Sequence, residues 1–82
     1  MNNSEILLSN LDKLHTTEMG VDRIKRNLCL DTSDVVLWCK KMIQDEKCSI
    51  TRSGKNWYAA VDGYIITINA RSYTIITAHK QK

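Results

Sequence analysis

The basic C-terminal part of the chain contains residue types that could bind or cleave a phosphodiester. Of the 82 residues, 1–48 carry seven Lys or Arg against eight Asp or Glu, a net charge of −1, whereas 49–82 carry five against Asp62 alone, a net of +4. His79 is the histidine of the basic part, and imidazole exchanges protons near neutral pH. Cations stabilise the charge that develops on a phosphoryl group. His79 with Arg52, Lys55 and Arg71 is therefore a candidate site for RNA, unless His79 is merely a polar residue at a strand end.

Aromatic residues alternate with these cations, which is typical of proteins that stack nucleic-acid bases between phosphate contacts. Tyr58 and Tyr73 are candidates for stacking, whereas Trp57 and Tyr64 are more simply read as core anchors of a small domain. We expect the nucleic-acid-binding residues to be Arg52, Lys55, Arg71 and Tyr73.

Two kinds of periodicity divide what we expect to be a single domain, 1–82, into a helical part, 1–48, and a sheet part, 49–82. Apolar residues spaced three and four apart predict helices over 3–15, 17–28 and 33–44. Asp62-Gly63 predicts a two-residue type I′ hairpin turn. The order favours an α+β fold, with about three N-terminal helices packed on one face of a C-terminal four-stranded antiparallel β-meander. The β-branched and aromatic runs predict strands at 49–52, 57–61, 64–69 and 73–79.

The length of the loop after the third strand decides which side chains of the last strand reach solvent. A loop of two residues buries four alternate side chains, and a loop of three puts the same four on the polar face beside Tyr58 and Thr67. We expect the second register, because it leaves Thr74, Ile76 and Ala78 to the core and avoids burying a threonine and a histidine. The four side chains are Tyr73, Ile75, Thr77 and His79.

The residues that the chain lacks disfavour several functional classes. No apolar run approaches the ~18 residues that span a bilayer, and the polar residues 1–5 do not predict a secretory signal. Cys29, Cys39 and Cys48 form no C-x-x-C pair, so they predict neither a disulfide framework nor a metal site and favour a reducing compartment. Three glycines provide no phosphate-binding loop. We expect a cytoplasmic protein with no cofactor, no metal and no membrane partner.

Five stretches carry a resemblance to a known family: LDKLHTT at 11–17, GKNWY at 54–58, VDG at 61–63, ITIN at 66–69 and SYTIITAH at 72–79. Together they resemble a family of short stand-alone prokaryotic proteins classed as a domain of unknown function. The resemblance covers about residues 8–79 of the chain. It implies no particular chemistry, since the family has no assigned activity.

The predicted architecture also resembles the small metal-independent ribonucleases of the barnase, EndoU, colicin and RelE type. That resemblance implies a site on the open sheet face, with Arg52 or Arg71 as the phosphate clamp. The chain departs from this pattern because its sheet contains no second histidine and no glutamate follows Glu46. The base and the acid would then be His79 with a lysine or a tyrosine. The catalytic positions implied are Lys55, Tyr58, Thr77 and His79.

Two functions of different classes follow from these observations. The first is a small basic RNA-binding protein that uses the open sheet face, either as a metal-independent ribonuclease or as its inactive relative. The alternative is a protein-binding module or small inhibitor of the mobile-element type, without enzymatic activity, that acts through a sheet edge or aromatic surface. Partially apolar residues on both faces, such as Ala60 and Ile65, allow either a monomer or a homodimer. A helix-turn-helix at 21–43 is disfavoured, because Asp34 and Val35 stand where base-reading residues should lie.

Overall fold

A computed structural model describes residues 3–28 and 34–80 of the chain. Cys29 lies outside the described residues, as does the segment that precedes Asp34. Three α-helices come first, α1 (Asn3–Ser9), α2 (Glu18–Leu28) and α3 (Val35–Ile43), with a short 3₁₀ helix (Leu11–Lys13) after α1. Four strands follow, β1 (Ser49–Ser53), β2 (Asn56–Val61), β3 (Tyr64–Asn69) and β4 (Ile75–Lys80), in one antiparallel sheet of order β1-β2-β3-β4. The predicted α+β arrangement is confirmed.

Helices α2 and α3 begin where short polar side chains accept hydrogen bonds from free backbone N–H groups. Asp34 caps α3, because its carboxylate accepts a hydrogen bond from the Leu37 N–H at 2.9 Å. Thr17 does the same for α2, accepting from the Gly20 N–H at 3.0 Å. Gly20 itself is required here, since a Cβ at this position would collide with the Thr16 hydroxyl. The first turn of α2 therefore lies against the segment that leads into it.

The hairpin of β2 and β3 has the register that the Asp-Gly signal predicts. Asp62 and Gly63 both have positive φ, 50° and 80°, as a type I′ turn requires. Val61 pairs with Tyr64, and Trp57 pairs with Ile68. The alternation places Trp57, Ala59, Val61, Ile66 and Ile68 on the buried side of the sheet.

The predicted register of β4 is confirmed after a β-bulge in this strand and is wrong before it. Thr77 pairs with Thr67 and His79 with Ile65, so both lie on the side away from the core, as expected. The next pair toward the N-terminus joins Ile75 to Ile68, which leaves Ile76 as the extra residue. The expectation for residues 73 to 75 is therefore wrong: Ile75 is 1% exposed and lies in the core. Because the bulge adds one residue, the side chains before it face the side of the sheet opposite to the one expected.

The segment before α2 covers the start of the edge strand β4. The His15 N–H donates to the Tyr73 carbonyl at 3.2 Å, and the Ile75 N–H donates to the His15 carbonyl at 2.7 Å. The Thr16 hydroxyl donates to the Ile75 carbonyl at 2.8 Å. Further along, the Asn27 amide of α2 donates to the Ala78 carbonyl at 3.4 Å. These contacts occupy backbone groups that would otherwise be free at a sheet edge.

The core lies between the helices and one side of the sheet. Ile24, Cys39 and Trp57, from α2, α3 and β2, belong to the same buried cluster. The opposite side, which we name the outer face, is polar at its centre, where Thr67 is 7% exposed. Its residues from β2, β3 and β4 are Tyr58, Ala60, Ile65, Thr67, Thr77 and His79.

We expect Gly63→Ala to lower the free energy of unfolding by about 1 kcal/mol, because an L side chain is strained at positive φ. The space around Gly63 is open, so backbone strain alone accounts for the loss. Urea denaturation followed by circular dichroism measures the change. Gly63→Asn is the matched variant, since asparagine tolerates this conformation, and it should recover part of the loss. Equal stability of the wild type and the alanine variant would contradict the turn geometry.

Candidate functional site

The three predicted phosphate-binding cations line one surface depression at an end of the sheet. Arg52 and Lys55 come from the β1–β2 turn region, and Arg71 comes from the β3–β4 connection. Asn69 and Ala70 complete the lining of a volume of about 450 Å³, which contains no aspartate or glutamate. We name this feature the basic depression. Residues up to 19 positions apart in the sequence thus present positive charge to the same small volume.

Backbone hydrogen bonds between the two loops hold the cations together. The Ala70 N–H donates to the Lys55 carbonyl at 2.8 Å, which joins the β1–β2 turn to the β3–β4 connection. Gly54 supplies the positive φ of 59° that the turn requires, and its carbonyl accepts from the Arg52 Nε at 3.0 Å. Asn69 shapes the other loop, since its Oδ1 accepts from the Arg71 N–H at 2.9 Å. The site is therefore positioned by the main chain, and Lys55 and Arg71 remain exposed.

A row of rings and cations connects the basic depression to the core. The Arg52 guanidinium lies 5.7 Å from the centre of the Trp57 ring. The Tyr73 ring is 5.4 Å from the Trp57 ring at a tilt of 43°, and the Lys13 Nζ lies 5.5 Å from the centre of the Tyr73 ring. Such cation–ring contacts stabilise by ~0.5–1 kcal/mol where they are exposed to water. Trp57, at 1% exposure, is the buried anchor of this row.

Tyr73 is therefore not on the outer face with Tyr58, and the prediction that placed it there is wrong. Its φ of 59° and the bulge that follows turn its ring toward Trp57. The ring is half-buried and packs against the core cluster. Tyr73 thus contributes packing beneath the cations, and the structure does not present it as an open stacking platform.

The four predicted catalytic residues separate into two groups. Tyr58 and Thr77 flank Thr67 on the outer face, and His79 follows two residues after Thr77. Lys55 lies beyond the opposite end of the strands, next to the Asn56–Asn69 pair. His79 pairs with Ile65, four residues from Asn69, so roughly 13 Å of strand separates it from that end. The structure brings Tyr58, Thr77 and His79 to one face but does not bring Lys55 to them.

A hydrogen-bonded group that the sequence did not reveal lies beside the basic depression. The His15 Nε2 is 3.1 Å from the Thr74 hydroxyl, and that hydroxyl is 2.7 Å from the Ser72 hydroxyl. The His15 Nδ1 is 2.9 Å from the Lys13 carbonyl oxygen. His15 and Thr74 are 59 positions apart, and no local spacing links them. The signal that was present is the LDKLHTT stretch itself, whose histidine stands among hydroxyl residues.

The described cysteines are poor nucleophiles. Burial raises the pKa of the Cys39 thiol to about 12. Burial, and then the nearby Asp45 carboxylate, raise the pKa of the Cys48 thiol. Within residues 3–28 and 34–80, no three His, Cys, Asp or Glu side chains are grouped so that they could hold a metal ion. In the same part of the chain, every helix is too short or too polar to cross a membrane.

The fold and the basic depression define a small α+β protein with a concentrated cationic site at one end of its sheet. The chain belongs to the family described as "Protein of unknown function (DUF3781)", which it matches over residues 8–79. Comparison with curated proteins gives no match. Comparison with solved structures gives none either, so the resemblance to small ribonucleases stays a prediction.

We expect the Cys39 thiol of the folded protein to resist iodoacetamide at about pH 8, because the thiolate is the reactive form and burial opposes it. Cys48 should react more slowly than a free thiol for the same reason. Mass spectrometry of peptides labelled with and without denaturant measures both rates. The protein labelled in denaturant is the control. Equally fast labelling of Cys39 in the folded and the denatured protein would contradict its burial.

Proposed function

We propose that this protein binds single-stranded RNA by holding backbone phosphates in the basic depression. The observation that carries the proposal is the convergence of Arg52, Lys55 and Arg71 on one volume whose lining has no carboxylate. Cations grouped in this way attract phosphate and release its counterions, which is the dominant contribution to sequence-independent nucleic-acid binding. The net charge of +4 over residues 49–82 extends the attraction beyond the depression itself.

The form of the site favours a single strand over a duplex. The depression lies between two loops, and a flexible strand can bend its phosphates into it. A helix that reads the major groove of a duplex needs polar or basic residues on the side that enters the groove. In α3 the side chains of Val35, Cys39 and Ile43 are buried, and Asp34 is used as the cap. These buried side chains of α3 belong to the core and cannot contact a groove.

Salt dependence separates phosphate binding from other modes of association. We expect labelled oligouridine to bind at about 50 mM salt and to lose most of its affinity by about 200 mM, as counterion release requires. The double variant Lys55→Gln/Arg71→Gln should weaken binding at least tenfold. It should also reduce the slope of log affinity against log salt by about 1.4, at ~0.7 per phosphate contact. Fluorescence anisotropy measures both quantities.

A variant with the same loss of charge elsewhere provides the control. Lys41 of α3 and Lys80 at the end of β4 are exposed and lie outside the basic depression. Lys41→Gln/Lys80→Gln should therefore retain most of the affinity. Equal losses of affinity in the two double variants would show that net charge, and not the basic depression, accounts for the binding. Absence of binding at low salt, together with recovery of one stoichiometric protein partner on co-purification, would favour the protein-binding module instead.

A further inference from the structure

Three side chains next to the basic depression form a continuous path for a proton, which we name the hydroxyl relay: Ser72, Thr74 and His15. Its two links are the 2.7 Å contact between the hydroxyls and the 3.1 Å contact from the Thr74 hydroxyl to the His15 Nε2. His15 and Ser72 are exposed, so both ends of the path are accessible. The backbone hydrogen bonds of His15 with Tyr73 and Ile75 hold together the two segments that carry these side chains.

The partner of the His15 Nδ1 fixes the direction of the relay. The Lys13 carbonyl can only accept a hydrogen bond, so at 2.9 Å the Nδ1 must carry the hydrogen. In the neutral imidazole the Nε2 is then an acceptor, and the Thr74 hydroxyl donates to it. Thr74 has no second hydrogen, so in this neutral state Ser72 donates to Thr74 and not to the Asn69 Oδ1, which lies 3.2 Å away. Every hydrogen of the relay therefore points toward His15.

Protonation of the His15 Nε2 reverses each of these bonds. The imidazolium donates to the Thr74 hydroxyl, and Thr74 in turn donates to Ser72. The Ser72 hydroxyl then donates to the Asn69 Oδ1, which lies 3.2 Å away. A second acceptor for Ser72 is thus already in place. The relay can take one proton at Ser72 and store it on His15 without leaving any hydroxyl unpaired.

Asn69 also connects the relay to the basic depression, because it lines that volume while it contacts Ser72. Ser72 directly follows Arg71, another lining residue. We propose that the hydroxyl relay accepts the proton when this protein cleaves RNA held in the basic depression without a metal ion. This inference rests on the proposed RNA binding and adds to it a reaction and a requirement for the 2′-hydroxyl.

The proposed reaction is an internal transesterification of the RNA backbone. The 2′-oxygen forms a bond to phosphorus, and the bond from phosphorus to the 5′-oxygen of the next nucleotide breaks. The 2′-hydroxyl proton passes to Ser72 as the proton of Ser72 passes to Thr74 and that of Thr74 passes to the His15 Nε2. The departing 5′-oxygen takes a proton from water, and the imidazolium returns its proton to the hydroxide formed. Arg52, Lys55 and Arg71 neutralise the phosphoryl charge. The products are a 2′,3′-cyclic phosphate and a free 5′-hydroxyl.

The charged groups on the elements around the relay include both signs. The cations are those of the 3₁₀ helix, α2 and the β3–β4 connection, and the carboxylates belong to the first two of these elements. Arg23 of α2 lines a shallow groove together with Thr74. The charged residues of these three elements are Asp12, Lys13, Glu18, Asp22, Arg23, Lys25, Arg26 and Arg71.

The test follows cleavage of a labelled oligouridine in the presence of a metal chelator, with protein in excess. The wild type should produce the cyclic phosphate. His15→Gln and Thr74→Val should each lose about 100-fold or more in rate, the usual effect of removing a general base. Thr74→Ser restores the hydroxyl and should recover activity, which a purely structural role of the threonine methyl group would not allow.

Binding measured on the same variants separates the two proposals. Thr74→Val should bind oligouridine as the wild type does, and a 2′-deoxy oligonucleotide should be bound but not cleaved. Binding without any cleavage by the wild type overturns the relay and leaves the binding proposal standing, whereas absence of binding overturns both. Loss of cleavage in His79→Ala, with His15→Gln still active, would move the proton acceptor to the outer face and overturn the relay.

Discussion

The connection between β3 and β4 is the constraint on which the candidate site depends. Asn69 exchanges backbone hydrogen bonds with its far end, donating to the Thr74 carbonyl at 2.8 Å and accepting from the Tyr73 N–H at 2.9 Å. Tyr73 must take a positive φ to close this loop, a conformation that L residues adopt only when their surroundings compensate. Here the ring contact with Trp57 and the pairing of the backbone with His15 supply the compensation. The loop geometry then places Arg71 beside Lys55 and Ser72 beside Asn69.

Burial of the sheet is coupled to the site through Trp57. Its ring is covered on the side of β1 by Arg52 and contacts Tyr73, so the side chain that anchors the core also supports the cations. Its indole N–H is buried and has no hydrogen-bond partner among the described residues, which costs roughly 1–3 kcal/mol. A domain of this size has a small free energy of unfolding. The large apolar area of the indole must therefore outweigh that cost, and changes at Trp57 affect stability and site together.

Local signals in the sequence were sufficient for the architecture and for one hairpin. Asp62-Gly63 determined the pairing of β2 with β3, because its turn type permits a single register. The bulge at Ile76 could not be predicted, since Ile75 and Ile76 are both apolar and either could face the core. The three cations could be named as candidate phosphate ligands from the residue types of the basic C-terminal part. Their separation from His79, and the loss of Tyr73 from the outer face, followed from a loop that the sequence did not define.

The hydroxyl relay could not be predicted from the sequence, because it depends on a contact between residues far apart in the chain. The sequence shows that residue 15 is a histidine but not that Thr74 is its partner. A parallel bridge between two segments far apart in the chain brings these two residues together. His79 was favoured because it is the histidine of the basic C-terminal part, whereas the fold places the His15 hydrogen-bond chain at the loop that carries Arg71. Membership of the DUF3781 family covers both segments and assigns them no chemistry.

The most direct measurement of where this protein meets RNA is a titration of the ¹⁵N-labelled chain with a short oligouridine, followed by backbone amide chemical shifts. The account predicts that the largest shifts fall on Lys55 and on Asn69 to Ser72, and that they disappear at high salt. Shifts confined to Ile65 and His79 on the outer face, or no shifts at low salt, would contradict it.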